Sequence, residues 1–96
     1  MSLFNKFVIK TDNDYPHLLI TAGVHGDEFE SIRCIHTLIN QLPGNLLKGK
    51  LTLVPCVNTE AFLLGNRTAA DELDLARICP GDPNGTITMR VGHELS

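Results

Sequence analysis

Leu18-Leu19-Ile20-Thr21-Ala22-Gly23-Val24-His25-Gly26-Asp27-Glu28-Phe29-Glu30-Ser31 is the stretch from which the rest of the chain can be read. It opens with a short apolar run, partly β-branched and bounded by Pro16 and Gly23, which predicts a buried strand. Asp27 suits a helix N-cap with Glu30 at the third helical position, a capping-box arrangement that predicts a helix from Glu28. His25 then lies on the turn and Glu28 in the first helical turn, near enough for an imidazole nitrogen and a carboxylate oxygen to meet at one cation. Such a pair is two thirds of a three-ligand catalytic zinc site. The same residues also suit a plainer reading, since a histidine beside glycines is an ordinary turn residue and a first-turn glutamate is favoured by the helix dipole.

Upstream, residues 4–10 alternate well enough for a strand, with Phe7 and Ile9 on one face and Val8 on the other. Residues 11–16, TDNDYP, carry dense turn chemistry and predict a hairpin into residues 18–22. His17, at the start of the second strand, reads as a solvated or core-edge residue rather than a ligand. Downstream, Phe29, Ile32, Ile35, Leu38, Ile39 and Leu42 recur at three- and four-residue steps, which predicts a helix over 28–42 with one face on the sheet. Cys34 and His36 fall off or at the margin of that stripe. Pro43-Gly44 ends the helix, because proline cannot continue the hydrogen-bond ladder and glycine accepts a left-handed turn.

Residues 51–57, LTLVPCV, are apolar on both faces as the interior of a parallel sheet requires, with Pro55 near the strand's end. Strand, helix and strand in this order imply a right-handed crossover. Residues 58–85 show too little periodicity for regular elements and read as a long binding loop. Helical spacing resumes over 84–95 through Ile87, Val91 and Leu95, with Asn84 or Thr86 available as a cap. The fold class predicted is α/β, a single domain over 1–96 with a mixed sheet. An uncovered edge of that sheet would favour self-association.

Composition narrows the function classes. The chain has 96 residues, is 43% hydrophobic, and carries eight Lys+Arg against eleven Asp+Glu for a net charge of −3. With no basic cluster and no aromatic interleaving, nucleic acid is not an expected partner. No apolar stretch approaches the roughly 20 residues that span a bilayer, so no membrane helix is expected. The N-terminus lacks the long apolar segment of a secretory signal, and Cys34, Cys56 and Cys79 show neither C-x-x-C spacing nor an even count. A cytoplasmic protein with reduced thiols is the reading that follows.

A second informative region is Asn66-Arg67 followed by Asp74-Leu75-Ala76-Arg77-Ile78-Cys79-Pro80-Gly81. Arginines in an otherwise irregular segment suit carboxylate recognition, because a guanidinium is a planar fork of donors that stays charged. Solvated surface arginines are the plainer alternative. Taken together, the strand with Gly-x-His-Gly-Asp-Glu and its helix, and the later VPCVNTEAFLLGNR and DLARICPG, resemble the succinylglutamate desuccinylase/aspartoacylase family within the zinc carboxypeptidase superfamily.

That resemblance implies the N-terminal part of a zinc carboxypeptidase-like mixed-sheet fold and hydrolysis of amide bonds in N-acyl amino acids or related small acids. His25 and Glu28 would bind Zn2+, Arg67 would polarise the scissile carbonyl, and Asn66 and Arg77 would contact the substrate. Arg90 matches a recurrent arginine without an assigned role. Ala76 departs from the family's usual asparagine, Ile78-Cys79 replaces an aromatic before the proline, and Ser31 replaces a small residue, commonly glycine. The family's third zinc ligand, a later histidine, and its catalytic glutamate lie beyond the matched stretch. His93 and Glu94 fall in the last helical pattern and are poor substitutes. The 96-residue chain is therefore expected to be inactive alone. The alternative is a noncatalytic metal-binding or interaction module derived from such an enzyme.

Overall fold

The central strand of the sheet is the most deeply buried one, with four of its five residues out of solvent. The computed structural model describes residues 2–96. The elements run β1 (Phe7–Lys10), β2 (His17–Thr21), α1 (Phe29–Gln41), β3 (Lys50–Val54), α2 (Thr59–Leu64), α3 (Leu75–Ile78) and α4 (Ile87–Leu95). The sheet order is β1-β3-β2. β3 pairs antiparallel with β1, setting Phe7 opposite Leu53 and Ile9 opposite Leu51, and parallel with β2, setting Leu18 opposite Leu51 and Ile20 opposite Leu53.

The sheet is mixed, as expected, but the predicted hairpin between the first two strands does not form. The turn residues do reverse the chain, yet their ends bond to the approach to β3 instead of to each other. Thr11 N–H donates to the Gly49 carbonyl at 3.1 Å, and Lys50 N–H donates to the Pro16 carbonyl at 2.9 Å. β3 thereby slots between β1 and β2, where its apolar side chains are covered on both sides.

Side chains alternate across β3. Leu51 and Leu53 point into a core with Ala22 and with Ile32 and Ile35 of α1, whereas Val54 joins a second core of Phe4, Val57, Leu75 and Val91. α1 therefore covers one face, and α3 and α4 contribute to the other at the C-terminal end of β3. Leu53 is wholly buried, so truncation to alanine at this layer would cost about 2–5 kcal/mol. Phe29, although in the predicted stripe, is exposed and meets Phe62 of α2 edge-on, with centroids 5.9 Å apart. Cys34 and His36 are exposed, as expected. His17 lies at the core's edge, its Nε2 at 2.8 Å from the Thr52 hydroxyl.

Three local expectations are corrected. The N-cap of α1 is Glu28 rather than Asp27, and no side chain caps it. Instead the backbone closes the turn, with Glu28 N–H donating to the His25 carbonyl at 3.2 Å, which leaves the Glu28 side chain free to face His25. The predicted loop over 58–85 contains α2 and α3, each too short to show a period but capped by Asn58 and Asp74 side chains. Thr86 is the N-cap of α4, but its side chain makes no cap bond. Asp71 takes that role from a distance in sequence, accepting from Thr88 N–H at 2.9 Å and Thr88 Oγ1 at 2.7 Å.

Glu94, also on α4, accepts both the Leu3 N–H, at 2.9 and 3.1 Å, and the Ser2 hydroxyl. It clamps the N-terminal segment so that Phe4 reaches the second core. No helix among the described residues is long and apolar enough to cross a membrane.

Candidate functional site

The loop after β2 is held in place by contacts that only glycine permits. Gly23 has φ +70°, and a Cβ there would lie 2.8 Å from Cys56 Sγ. Backbone bonds from Val57 N–H to Ala22 O at 2.9 Å and from Asn58 N–H to Gly23 O at 3.0 Å then carry the chain after β3 alongside this loop. A Cβ on Gly26 would fall 2.3 Å from the Ala61 carbonyl carbon and 2.4 Å from Phe62 N, so α2 can seat here only against a bare backbone.

α2 starts at Asn58, whose side chain accepts from Ala61 N–H at 3.3 Å, and ends at Gly65 in a left-handed turn. That turn sends Asn66 and Arg67 back to the loop, where Gly26 N–H donates to the Arg67 carbonyl at 3.2 Å.

Asp74 joins these parts. It caps α3 by accepting Ala76 N–H at 3.0 Å, and the same carboxylate lies 2.9 Å from His25 Nε2 and 3.3 Å from Arg67 Nη2. Arg77 Nε stands 3.7 Å away. The hydrogen bond with His25 is the main cause that holds the Asp74 carboxyl below its ordinary value, with burial opposing it and Ala76 and Arg67 assisting. The other imidazole nitrogen, Nδ1, faces Glu28 Oε1 at 3.2 Å.

If Nε2 donates its proton to Asp74, Nδ1 presents a lone pair towards the Glu28 carboxylate. Two acceptors at that distance need a proton or a cation between them. Tetrahedral zinc with bonds of about 2.0–2.1 Å separates its ligand atoms by roughly 3.3 Å, so the spacing and donor types of His25 and Glu28 fit two vertices of such a site. Asp74 occupies the imidazole's far side, where a carboxylate fixes tautomer and ring orientation. Among the described residues, no group of three or more His, Cys, Asp or Glu is arranged to hold a metal.

Of the residues singled out from sequence, His25, Glu28, Arg67 and Arg77 converge on one neighbourhood, with Arg67 and Arg77 largely solvent-facing at 59% and 82% side-chain exposure. Asn66 is exposed beside Arg67, its N–H bonded to the Ala61 carbonyl at 3.0 Å. Arg90 and His93 are exposed on α4, and neither is bonded to His25, Glu28 or Asp74. Asp74 is the residue that sequence reading missed. It lies in the stretch read as an irregular loop, and nothing near it in sequence announces a partner 49 residues away.

A mixed α/β sheet with a histidine, a glutamate and two arginines gathered beyond its strand ends defines the class, and comparison with known proteins specifies it. The sequence matches the succinylglutamate desuccinylase/aspartoacylase catalytic domain over residues 14–95, and the chain belongs to that family. It is 39% identical over 77 residues to the N-alpha-acetyl-L-2,4-diaminobutyric acid deacetylase of Halomonas elongata, covering 79% of this chain and 22% of that protein. The fold superposes with a TM-score of 0.87 on a succinylglutamate desuccinylase/aspartoacylase from Rhodobacter sphaeroides, at 34% identity over 96% of this chain and 29% of that one. The product-bound ectoine utilization protein of Ruegeria pomeroyi gives 0.84 at 34% identity, over 94% and 27%. The chain thus spans about a fifth to three tenths of the length of these relatives.

Proposed function

We propose that this chain forms the zinc-binding and substrate-orienting part of an amide hydrolase acting on N-acyl amino acids or related small acids. The observation that carries this reading is the line Asp74, His25, Glu28, in which a carboxylate orients an imidazole whose other nitrogen faces a second carboxylate. Family membership and the deacetylase relative support the reaction class.

His25 and Glu28 would hold the metal together with a third ligand, which the family resemblance assigns to a histidine beyond this chain. Zinc, when bound, supplies a water acidified from about 16 towards 7 and a Lewis acid for the carbonyl. Asp74 keeps His25 in the tautomer that offers Nδ1. Arg67, tethered through Asp74, keeps further donors free for the oxyanion that develops as water adds to the acyl carbon, a contribution of about 3 kcal/mol in comparable sites. Arg77 directs its exposed guanidinium to the free carboxylate of the substrate, with Asn66 beside Arg67 as a further polar contact. The acyl–nitrogen bond then breaks, and the amine leaves with a proton carried by a glutamate that the resemblance also places outside this chain. The three free cysteines suit a reducing compartment, in keeping with a cytoplasmic location.

Zinc titration by calorimetry tests the reading. The 96-residue chain should bind zinc weakly and release no amine from N-acyl amino acids. A chain extended through the third ligand should bind far more tightly, and His25→Ala should reverse that gain. An extended chain that binds no better, or binds equally well without His25, would overturn the assignment.

A further inference from the structure

Asp74, whose carboxylate meets His25, is tied to α4 on both of its own flanks. On the C-terminal side the next residue, Leu75, is buried in one core with Val91 of α4. A Cβ on Gly92 of α4 would lie 3.1 Å from Ile78 Cδ1, so α3 and α4 approach each other there at bare backbone. On the N-terminal side Asp71 accepts from Thr88 N–H at 2.9 Å and from Thr88 Oγ1 at 2.7 Å, in the first turn of α4. Little slack remains between these anchors. Leu73 N–H donates to Asp71 Oδ1 at 3.3 Å, and Glu72 N–H donates to the carbonyl of buried Ala69 at 3.0 Å. Glu72 itself holds φ +60°, a left-handed conformation that a residue with a side chain keeps only where its surroundings over-determine it.

We infer that Asp71 and Thr88 are positioning residues for the candidate metal site, fixing α4 as the platform from which Asp74 is aimed at His25 Nε2. The four residues of α3 make a single turn, too short to hold a direction without tertiary support, so the aim of its capping carboxylate is set by what the flanking chain is fastened to. Thr88 is wholly buried and cannot reach a substrate, and its bonds pass to Asp71 and no further. The link matters because a drift of about 1 Å in Asp74 stretches its 2.9 Å contact with His25 beyond hydrogen-bond range. The imidazole then loses the partner that sets its orientation, and Nδ1 is no longer held towards Glu28 Oε1 at 3.2 Å. The inference rests on the reading of His25 and Glu28 as metal ligands, and extends it to two residues that touch neither.

NMR of the metal-free 96-residue chain tests this through the His25 Nε2 proton, which a bond to a carboxylate moves downfield and protects from exchange with water. The native chain should show that resonance, and Asp71→Ala should speed its exchange by about tenfold or more as the open form of the loop gains population. Thr88→Val removes only the hydroxyl donor and should speed exchange by about threefold, while Thr88→Ser, which keeps the hydroxyl, should return it to within about twofold of the native rate. Ile35→Val is the control for lost stability in general. It thins the core beneath α1, away from this link, and should leave the rate within about twofold. If Asp71→Ala does not fold, the two Thr88 variants decide. A folded Thr88→Val with the native rate overturns the inference, as does a Thr88→Ser that restores nothing or an Ile35→Val that accelerates exchange equally. A native chain without the protected resonance refutes the contact between Asp74 and His25 itself, a result distinct from a resonance that is present and indifferent to Asp71 and Thr88.

Discussion

Replacing Asp71 by alanine removes the carboxylate that accepts from the first turn of α4. The carboxylate accepts two hydrogen bonds from Thr88, and Thr88 is wholly buried, so water cannot readily replace the lost acceptor. Bonds to a charged acceptor contribute about 1.5–3 kcal/mol each, and an unsatisfied buried donor costs about 1–3 kcal/mol. Asp71 is itself half-buried, which discounts the sum to about 2–4 kcal/mol. For a domain whose whole stability is on the order of 5–15 kcal/mol, that loss lowers Tm by about 8–30 °C.

Urea and thermal unfolding followed by circular dichroism measure it directly. Thr88→Val removes only the hydroxyl donor, so the double variant should cost less than the sum of the single ones by about 1 kcal/mol. The effect also depends on pH. Burial pushes the Asp71 carboxyl up, but hydrogen bonds from the Thr86 and Thr88 side chains and from the Thr88 and Leu73 backbone outweigh it and hold the group below its ordinary value of 3.8. A folded-state value below the unfolded one means that the stabilisation is present above pH 3.8 and is lost as pH falls through the lower folded value. The gap between native and Asp71→Ala stability should therefore narrow only in that acid range. A variant within about 0.5 kcal/mol of the native protein at neutral pH, the range of ordinary surface changes, would refute the capping role.

Gly26→Ala should destabilise the protein by about 1–3 kcal/mol, because its Cβ would strike the Ala61–Phe62 backbone. Amide shifts spreading to Arg67 would report that α2 has moved, and unchanged shifts would show that the contact is dispensable. On the zinc reading, Asp74→Asn should lower zinc affinity of an extended chain by about 10- to 100-fold in calorimetry, with unchanged affinity removing Asp74 from the site. In a full-length enzyme, Arg77→Ala should raise KM for a carboxylate-bearing substrate and lower kcat, and equal losses in Arg90→Ala would dissolve the distinction between them.

Much of this architecture was legible from local pattern. The apolar stripe of α1, the two-faced burial of β3 and the closeness of His25 to Glu28 all follow from spacings of a few residues, where backbone geometry alone decides which side chains share a face. Two things were not. β1 and β2 looked like a hairpin because turn chemistry records only that the chain reverses. Which strand fills the gap is settled by long-range packing, and β3, whose two faces are both covered by core residues, takes the centre. Asp74 lay in a stretch read as an irregular loop, yet its carboxylate caps α3 and also meets His25 and Arg67. Its position depends on α2, on the turn at Gly65 and on Gly26 admitting that helix. Local sequence could state the chemistry of each residue, but only the folded chain could bring one carboxylate to an imidazole 49 residues away, because that distance is closed by packing and not by any helical or strand period.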